Sequence, residues 1–272
     1  MKALVFGAGG QLGTELVRLL GNESGVPHER LSITDAPAVE ALIAAGRPDV
    51  VFNCAAYNEV DRAESASELA HAVNAAAPHN VALACNRHGA ALVHFSTNFV
   101  FDGRKEEPYV EVDEPSPLSV YGRSKLEGER QVLQSGATAL IIRTAAVFGG
   151  GVNFPMRILG RARSGERLRI VADQKVNPTY AKDLAAAAVE LWESGVTGIV
   201  HAAADGCVSW DEFARAVLAD FGVSAEVESV ATTAFASAAR RPANGCLATT
   251  RYRLLRPWRQ ALKEWSEETR RH

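Results

Sequence analysis

Short apolar runs alternate with amphipathic stretches along the first half of the chain. Lys2–Phe6, Asp49–Asn53, Ala91–Phe95 and Ala139–Arg143 are brief, aliphatic and followed by glycine or polar residues, as strands buried on both faces of a sheet are. Between them, Gln11–Leu20, Ala36–Ala45, Ser67–Arg87 and Ser119–Gln134 have helical periodicity and few breakers. The alternation predicts an α/β fold: a doubly wound, mostly parallel, Rossmann-type sheet with helices on both faces. Gly21–Ile33 should hold the second strand. Gly25, Pro27 and the charged residues that follow leave two readings there, a degenerate strand or a loop.

Beyond about Gly149 the rhythm loosens. Val152–Ser164 reads as a helix, Arg167–Val171 as a strand, Tyr180–Glu193 as a helix and Gly198–Ala202 as a strand able to rejoin the sheet. Trp210–Phe221 is an amphipathic helix and Trp258–Arg270 a polar terminal one. With no repeat and no flexible linker, the expected division is 1–148 and a smaller C-terminal part, 149–272. Residues 180–204 are expected to pack back on the first part, leaving a cleft between the two where ligands bind in such folds.

Composition narrows the function. The chain has 272 residues and a formal net charge of −3, which offers no basic field to nucleic acid or an anionic membrane. No apolar run reaches the roughly 18–20 residues that span a bilayer, and Met1–Phe6 is too short for a signal peptide, so a cytoplasmic location is expected. Cys54, Cys85, Cys207 and Cys246 form no C-x-x-C pair, which predicts reduced, packed thiols. The seven histidines do not stand at ligand spacings, so no metal site is expected. The acidic stretch Glu106–Glu114, flanked by prolines and without helical period, reads as a solvated loop. The four tryptophans read as packing residues rather than a base-stacking platform.

Three segments carry chemistry. The first strand runs into Gly7-Ala8-Gly9-Gly10-Gln11-Leu12-Gly13 and then a helix. Glycines at 7, 10 and 13 suit a tight turn and close approach of a pyrophosphate to the helix N-terminus. The spacing G-x-x-G-x-x-G differs from the usual dinucleotide fingerprint, and no lysine follows to make a P-loop. Where an acidic ribose anchor is expected after the second strand stands Pro27, with His28 and Arg30 nearby. A missing carboxylate and basic neighbours favour a 2′-phosphate, hence NADPH over NADH.

Tyr121-Gly122-Arg123-Ser124-Lys125 is a Y-x-x-x-K at the start of a helix, so phenol and ammonium share one face. A carbonyl that accepts hydride needs a proton on oxygen. A tyrosine whose pKa is lowered by a neighbouring ammonium is suited to give it. Ser96-Thr97 ends a strand and places a hydroxyl where it can fix the carbonyl oxygen or the phenol. Arg240-Arg241 suits a substrate diphosphate or an ordinary salt bridge equally.

Together these elements resemble the extended short-chain dehydrogenases, and one branch closely, the dTDP-4-dehydrorhamnose reductases. The resemblance runs through Gly10–Gly13, Arg47–Tyr57, Val60–Glu64, Val73-Asn74-Ala75, Val100–Gly103, Tyr121–Glu129, Arg143-Thr144, Asn153-Phe154, Asp173-Gln174, Pro178-Thr179 and Arg241–Asn244. It implies Thr97, Tyr121 and Lys125 as the catalytic set. It also implies a cofactor site lined by Gln11, Leu12, Ser32, Ile33, Ala55, Ala56 and Tyr57 above the glycine turn, for NADPH with NADH as the lesser option. The implied substrate is a nucleotide-linked 6-deoxy-4-ketosugar, and the implied assembly a monomer or homodimer. Two positions depart from the branch: Asn98 stands where aspartate follows the threonine, and Ala146 where a tryptophan contacts the sugar nucleotide. These two, with Thr97 and Arg241, are the expected substrate residues. Two alternatives follow: a reductase of a different nucleotide-4-ketosugar, or a non-catalytic NADP-binding regulatory subunit.

Overall fold

The computed structural model describes residues 1–271. Six strands form one parallel sheet: β1 (Ala3–Phe6), β2 (Gly25–Val26), β3 (Val50–Asn53), β4 (Ala91–Thr97), β5 (Ala139–Thr144) and β6 (Gly198–His201), in the order β6-β5-β4-β3-β1-β2. The chain leaves β1 towards β2 on one side and crosses back to β3 on the other. The carboxyl ends of β1 and β3 therefore flank the switch point where such sheets bind ligands.

Eight longer helices follow the periodicity closely: α1 (Gln11–Leu20), α2 (Ala36–Gly46), α3 (Ala77–His88), α4 (Val120–Gln134), α5 (Phe154–Arg163), α6 (Ala181–Glu193), α7 (Trp210–Phe221) and α8 (Trp258–Arg271). Strand alternation divides the interior. Leu4 and Phe6 of β1 face α2 and α3 through Val39, Ile43 and Val81, whereas Ala3 and Val5 face α1 and α6 through Leu16, Leu184 and Leu191. The uncertain second strand is the degenerate one: Gly25 and Val26 pair with Val5 and Phe6, and nothing more.

The helix expected over Ser67–Arg87 is interrupted. Ser67–His71 is α-helical and Ala72–Ala76 π-helical before α3 begins. Pro78, near the start of α3, has no N–H to donate to the preceding turn, which favours such a rerouted ladder. Asn74 in the widened turn accepts from Tyr57 N at 2.8 Å. It also donates to Tyr57 O at 3.1 Å and to Ser124 Oγ at 3.0 Å. The bulge thereby ties the loop after β3 to α4.

The C-terminal half has its own apolar cluster, in which Phe148, Tyr180, Phe213 and Trp265 meet between α5, α7 and α8. Trp210 and Trp258 pack against its edge, and Trp192 against the cluster beneath α6. Two expectations are corrected here. Cys207 and Cys246 are disulfide-bonded with Cα atoms 5.8 Å apart, not reduced. They are neighbours only in three dimensions, 39 residues apart, which spacing alone does not reveal. Cys54 and Cys85 are free. The acidic stretch is a loop, but not simply a solvated one: Tyr109 is buried, stacking on Phe101 at 4.3 Å. Glu111 accepts from His201 N at 2.9 Å, Thr249 Oγ1 at 2.5 Å and Thr250 N at 2.9 Å, hydrogen bonds that draw its pKa down to about 2.

Candidate active site

A cavity of about 340 Å³ opens at the carboxyl ends of β1, β3, β4 and β5. The turn between β1 and α1 forms its floor. Gly7 has φ +74°, and a Cβ there would stand 2.7 Å from Ala55 N; a Cβ on Gly13 would run into the Gly7 carbonyl. The turn therefore packs against β3 and α1 more closely than any side chain allows. Gly10 caps α1 without a side-chain hydrogen bond, and the first turn carries no acidic residue. Its free N–H groups suit an anion. Gln11 Oε1 and Thr144 Oγ1, on residues that line the cavity, are buried without partners, polar atoms that a bound ligand would satisfy. These features fit a dinucleotide.

The opposite wall is α4. Ser119 caps it, accepting from Gly122 N at 3.1 Å, so Tyr121 and Lys125 face the strand ends from the first two turns. Lys125 is buried and donates to Phe95 O at 2.6 Å. Burial pushes its pKa down to about 8, opposed by Glu129. The Tyr121 hydroxyl lies 3.5 Å from Asn58 Oδ1, and the ring meets Phe99 edge-on at 5.4 Å. Burial raises the phenol pKa, with the nearby Thr97 side chain pulling it partly back. The ammonium adds no lowering of its own here, because Lys125 is turned onto Phe95 O and desolvation dominates. A raised pKa keeps the phenol protonated at neutral pH, the state a proton donor needs.

Thr97 ends β4 and caps the short turn Asn98–Val100, accepting from Phe99 N at 3.2 Å. It also donates to Asn98 Oδ1 at 3.2 Å. Asn98 is buried and donates to Gly245 O at 2.8 Å. Ala146, with φ +43°, is also in the cavity wall.

Of the residues singled out from sequence, Gly10, Gln11, Leu12, Gly13, Ala56, Thr97, Asn98, Tyr121, Lys125 and Ala146 line this one cavity. Gly7 and Ala55 form the contact beneath it. Tyr57 is held by Asn74, while Ser32 and Ile33 follow the second strand, with the Ile33 side chain buried in the core and away from the cavity. Arg241 is elsewhere: it forks onto Asp61, with Nη2 2.6 Å from Oδ2 and Nη1 3.1 Å from Oδ1, and holds that carboxyl well below its usual range. Cys54, Asn58 and Thr144 also line the cavity. Only their positions at or just after strand ends pointed to them.

A second cavity, of about 460 Å³, lies in the C-terminal half. Arg157, Arg161, Arg169 and Arg241 border it together with Phe154 and Trp210. Val60 lines the first cavity and Asp61 the second, so the short helix Val60–Ala63 borders both. A larger hollow, of about 930 Å³, lies outside α4 among Glu68, His71, Arg123 and Arg130, away from the strand ends. Among the described residues no cluster of histidine, cysteine and carboxylate side chains is placed to hold a metal, and no helix is long and apolar enough to cross a membrane.

Known proteins share both the sequence and this arrangement. The model for the RmlD substrate binding domain matches residues 1–271. The dTDP-4-dehydrorhamnose reductase of Mycobacterium tuberculosis is 40% identical over 96% of this chain and 91% of its own length. A probable dTDP-4,6-dihydroxy-2-methyloxan-3-one 4-ketoreductase of Streptomyces antibioticus is also 40% identical, over 97% and 94%. The crystal structure of dTDP-4-dehydrorhamnose reductase from Bacillus anthracis in complex with NADP superposes with a TM-score of 0.94 at 32% identity, covering 98% of this chain and 100% of that one. With its glycine turn, Y-x-x-x-K helix and strand-end threonine around one cavity, this chain belongs to the family of the RmlD substrate binding domain, among the dTDP-4-dehydrorhamnose reductases.

Proposed function

We propose that this protein is an NADPH-dependent reductase of the C4 ketone of a nucleotide-linked 6-deoxy-4-ketosugar, converting dTDP-4-dehydro-L-rhamnose to dTDP-L-rhamnose. The observation that carries the reading is the convergence of Thr97, Tyr121 and Lys125 on the cavity above the α1 N-terminus. When bound, the nicotinamide cofactor supplies the hydride that the carbonyl carbon receives. The phenol of Tyr121 gives its proton to the carbonyl oxygen, so that ketone becomes alcohol with hydride and proton accounted for. The Thr97 hydroxyl orients that oxygen, and the Lys125 ammonium stabilises the phenolate left behind.

In this reading residues 1–148 hold the cofactor, with residues 180–204 packed back on them, and residues 149–272 hold the substrate. Gly7, Gly10, Gln11, Leu12 and Gly13 form the pyrophosphate cradle; Ser32, Ile33, Ala55, Ala56 and Tyr57 flank the rest of the dinucleotide. Asn98 and Ala146 face the sugar, and Arg241 stands at the rim of the arginine-lined cavity, whose charge and aromatic rings suit a nucleotide diphosphate. The protein works in the cytoplasm as a monomer or homodimer. Half-buried Pro27 and exposed His28 and Arg30, at the end of β2, favour the 2′-phosphate; NADH is the weaker alternative.

A second reading rests on Asn98 and Ala146 and on the Streptomyces relative with a different named sugar: the same reaction on another nucleotide-4-ketosugar. Incubation with NADPH and a panel of dTDP- and UDP-linked 4-ketosugars, following cofactor absorbance and sugar products, tests both. Fastest turnover of dTDP-4-dehydrorhamnose is expected. Faster turnover of another sugar selects the second reading, and binding of NADPH without turnover of any would leave a regulatory subunit.

A further inference from the structure

Below the cavity lies an ion pair that the proposed chemistry does not use. Glu129 and Arg143 are almost wholly buried, 1% and 2% exposed. Arg143 forks onto Glu129, with Nε 2.9 Å from Oε1 and Nη2 2.6 Å from Oε2. Ser96 Oγ donates to the same carboxylate, one residue before Thr97. Lys125 stands one turn before Glu129 on α4 and donates to Phe95 O, one residue before Ser96. Helix α4 is therefore fastened to two consecutive residues of β4 immediately ahead of Thr97. A buried ion pair contributes little net stability, since desolvation offsets its attraction, so its role here is sought in the site.

We propose that Glu129 is a positioning residue, with Arg143 as its counterweight: its carboxylate keeps Lys125 an ammonium beneath the cavity and, through Ser96, fixes the strand end that carries Thr97. The ionisable groups facing Lys125 are Tyr121 and Glu129 on its own helix, Cys54 after β3 and His94 on β4, and Glu129 is in turn paired with Arg143 on β5. Burial raises the Cys54 thiol and holds His94 neutral, and Tyr121 is likewise raised. Glu129, ion-paired with Arg143, is then the acidic partner within reach of Lys125, and Arg143 competes with Lys125 for it. The sign follows. Burial pushes the Lys125 pKa down to about 8 and Glu129 opposes it; removing the anion lowers that midpoint, and removing the competing cation raises it.

The inference rests on the role given to Lys125 above, and its test has a readout that needs no turnover. Trace labelling of the cofactor-free protein with acetic anhydride across pH, with the Lys125 peptide quantified by mass spectrometry, gives the titration of this amine. In Glu129→Gln the midpoint should fall by roughly one pH unit or more, and in Arg143→Met it should rise by a similar amount. The basic limb of the kcat–pH profile should move in the same two directions, and Glu129→Asp should restore it in large part. Should Glu129→Gln fail to fold, Arg143→Met retains the carboxylate and decides the question alone. An unmoved midpoint, or a loss of kcat equal at every pH, overturns the proposal. Absence of wild-type turnover would remove the proposed function yet leave the labelling result to judge Glu129.

Discussion

The cavity at the strand ends and the cavity in the C-terminal half differ in what holds their walls. In the first, the residues around the proton donor are buried, among them Thr97, Asn98, Tyr121 and Lys125, and backbone contacts fix the wall: the glycine turn by its contact with Ala55, Lys125 by Phe95 O, Asn98 by Gly245 O. The second is bordered by arginines and aromatic rings, and its rim is a partly exposed ion pair between Asp61 and Arg241. A rigid constellation suits a proton donor that must meet a reacting atom within a fraction of an ångström. A charged, adaptable wall suits a phosphorylated substrate bound mainly by charge. In the proposed reading the contrast separates the chemistry from the grip on the substrate's diphosphate, and it can be broken or sharpened by substitution.

The largest effect is expected at the rigid corner. Tyr121→Phe keeps the ring against Phe99 and removes only the proton donor, so kcat should fall roughly 10²–10⁴-fold while calorimetry shows NADPH binding nearly unchanged. A near-normal kcat would mean that the proton comes from another group. Next comes the cradle. Gly13→Ala drives a methyl group into the Gly7 carbonyl, and the strain of about 1–3 kcal/mol should weaken NADPH binding roughly 5–150-fold. Unaltered affinity in a calorimetric titration would place the pyrophosphate elsewhere.

Much of the rigid corner is legible in the sequence because its causes are local. Strand β1, the glycine turn and α1 are consecutive, and Tyr121 and Lys125 need only a helix to share a face. Thr97 follows from where an apolar run stops. The rest depends on groups distant in the chain. Cys207 meets Cys246, Asp61 meets Arg241, and Asn98 meets Gly245, 147 residues later; periodicity gives no hint of such partners. The π-bulge at Ala72–Ala76 hides inside an unbroken helical pattern. The direction of the phenol pKa is hidden from the sequence for a similar reason, since it depends on where Lys125 points and how dry the site is.

Substrate choice gives the next test. Ala146 stands in the wall of the first cavity, and covering about 60 Å² of sugar surface with a tryptophan contributes ~1.5 kcal/mol. Ala146→Trp should therefore lower the KM for dTDP-4-dehydrorhamnose roughly tenfold if that sugar is native, and should block a bulkier native substrate instead. Unchanged kinetics with every sugar would show that position 146 does not touch the substrate. The smallest effect is expected at the exposed end of β2. Arg30→Ser should reduce the preference for NADPH over NADH only a few-fold, as one screened surface charge contributes about 1 kcal/mol or less. No change in the ratio of the two affinities would remove Arg30 from the cofactor argument.

The central claim is that Tyr121 protonates a sugar ketone inside the cofactor cavity. Single-turnover mixing of the wild-type protein with stoichiometric NADPH and dTDP-4-dehydrorhamnose, with the sugar product identified by NMR, addresses it most directly. One dTDP-L-rhamnose should form for each NADPH oxidised, and Tyr121→Phe, saturated with cofactor, should form it at least a hundredfold more slowly. Equal rates for the two proteins, or NADPH consumption without a reduced sugar, would contradict the account.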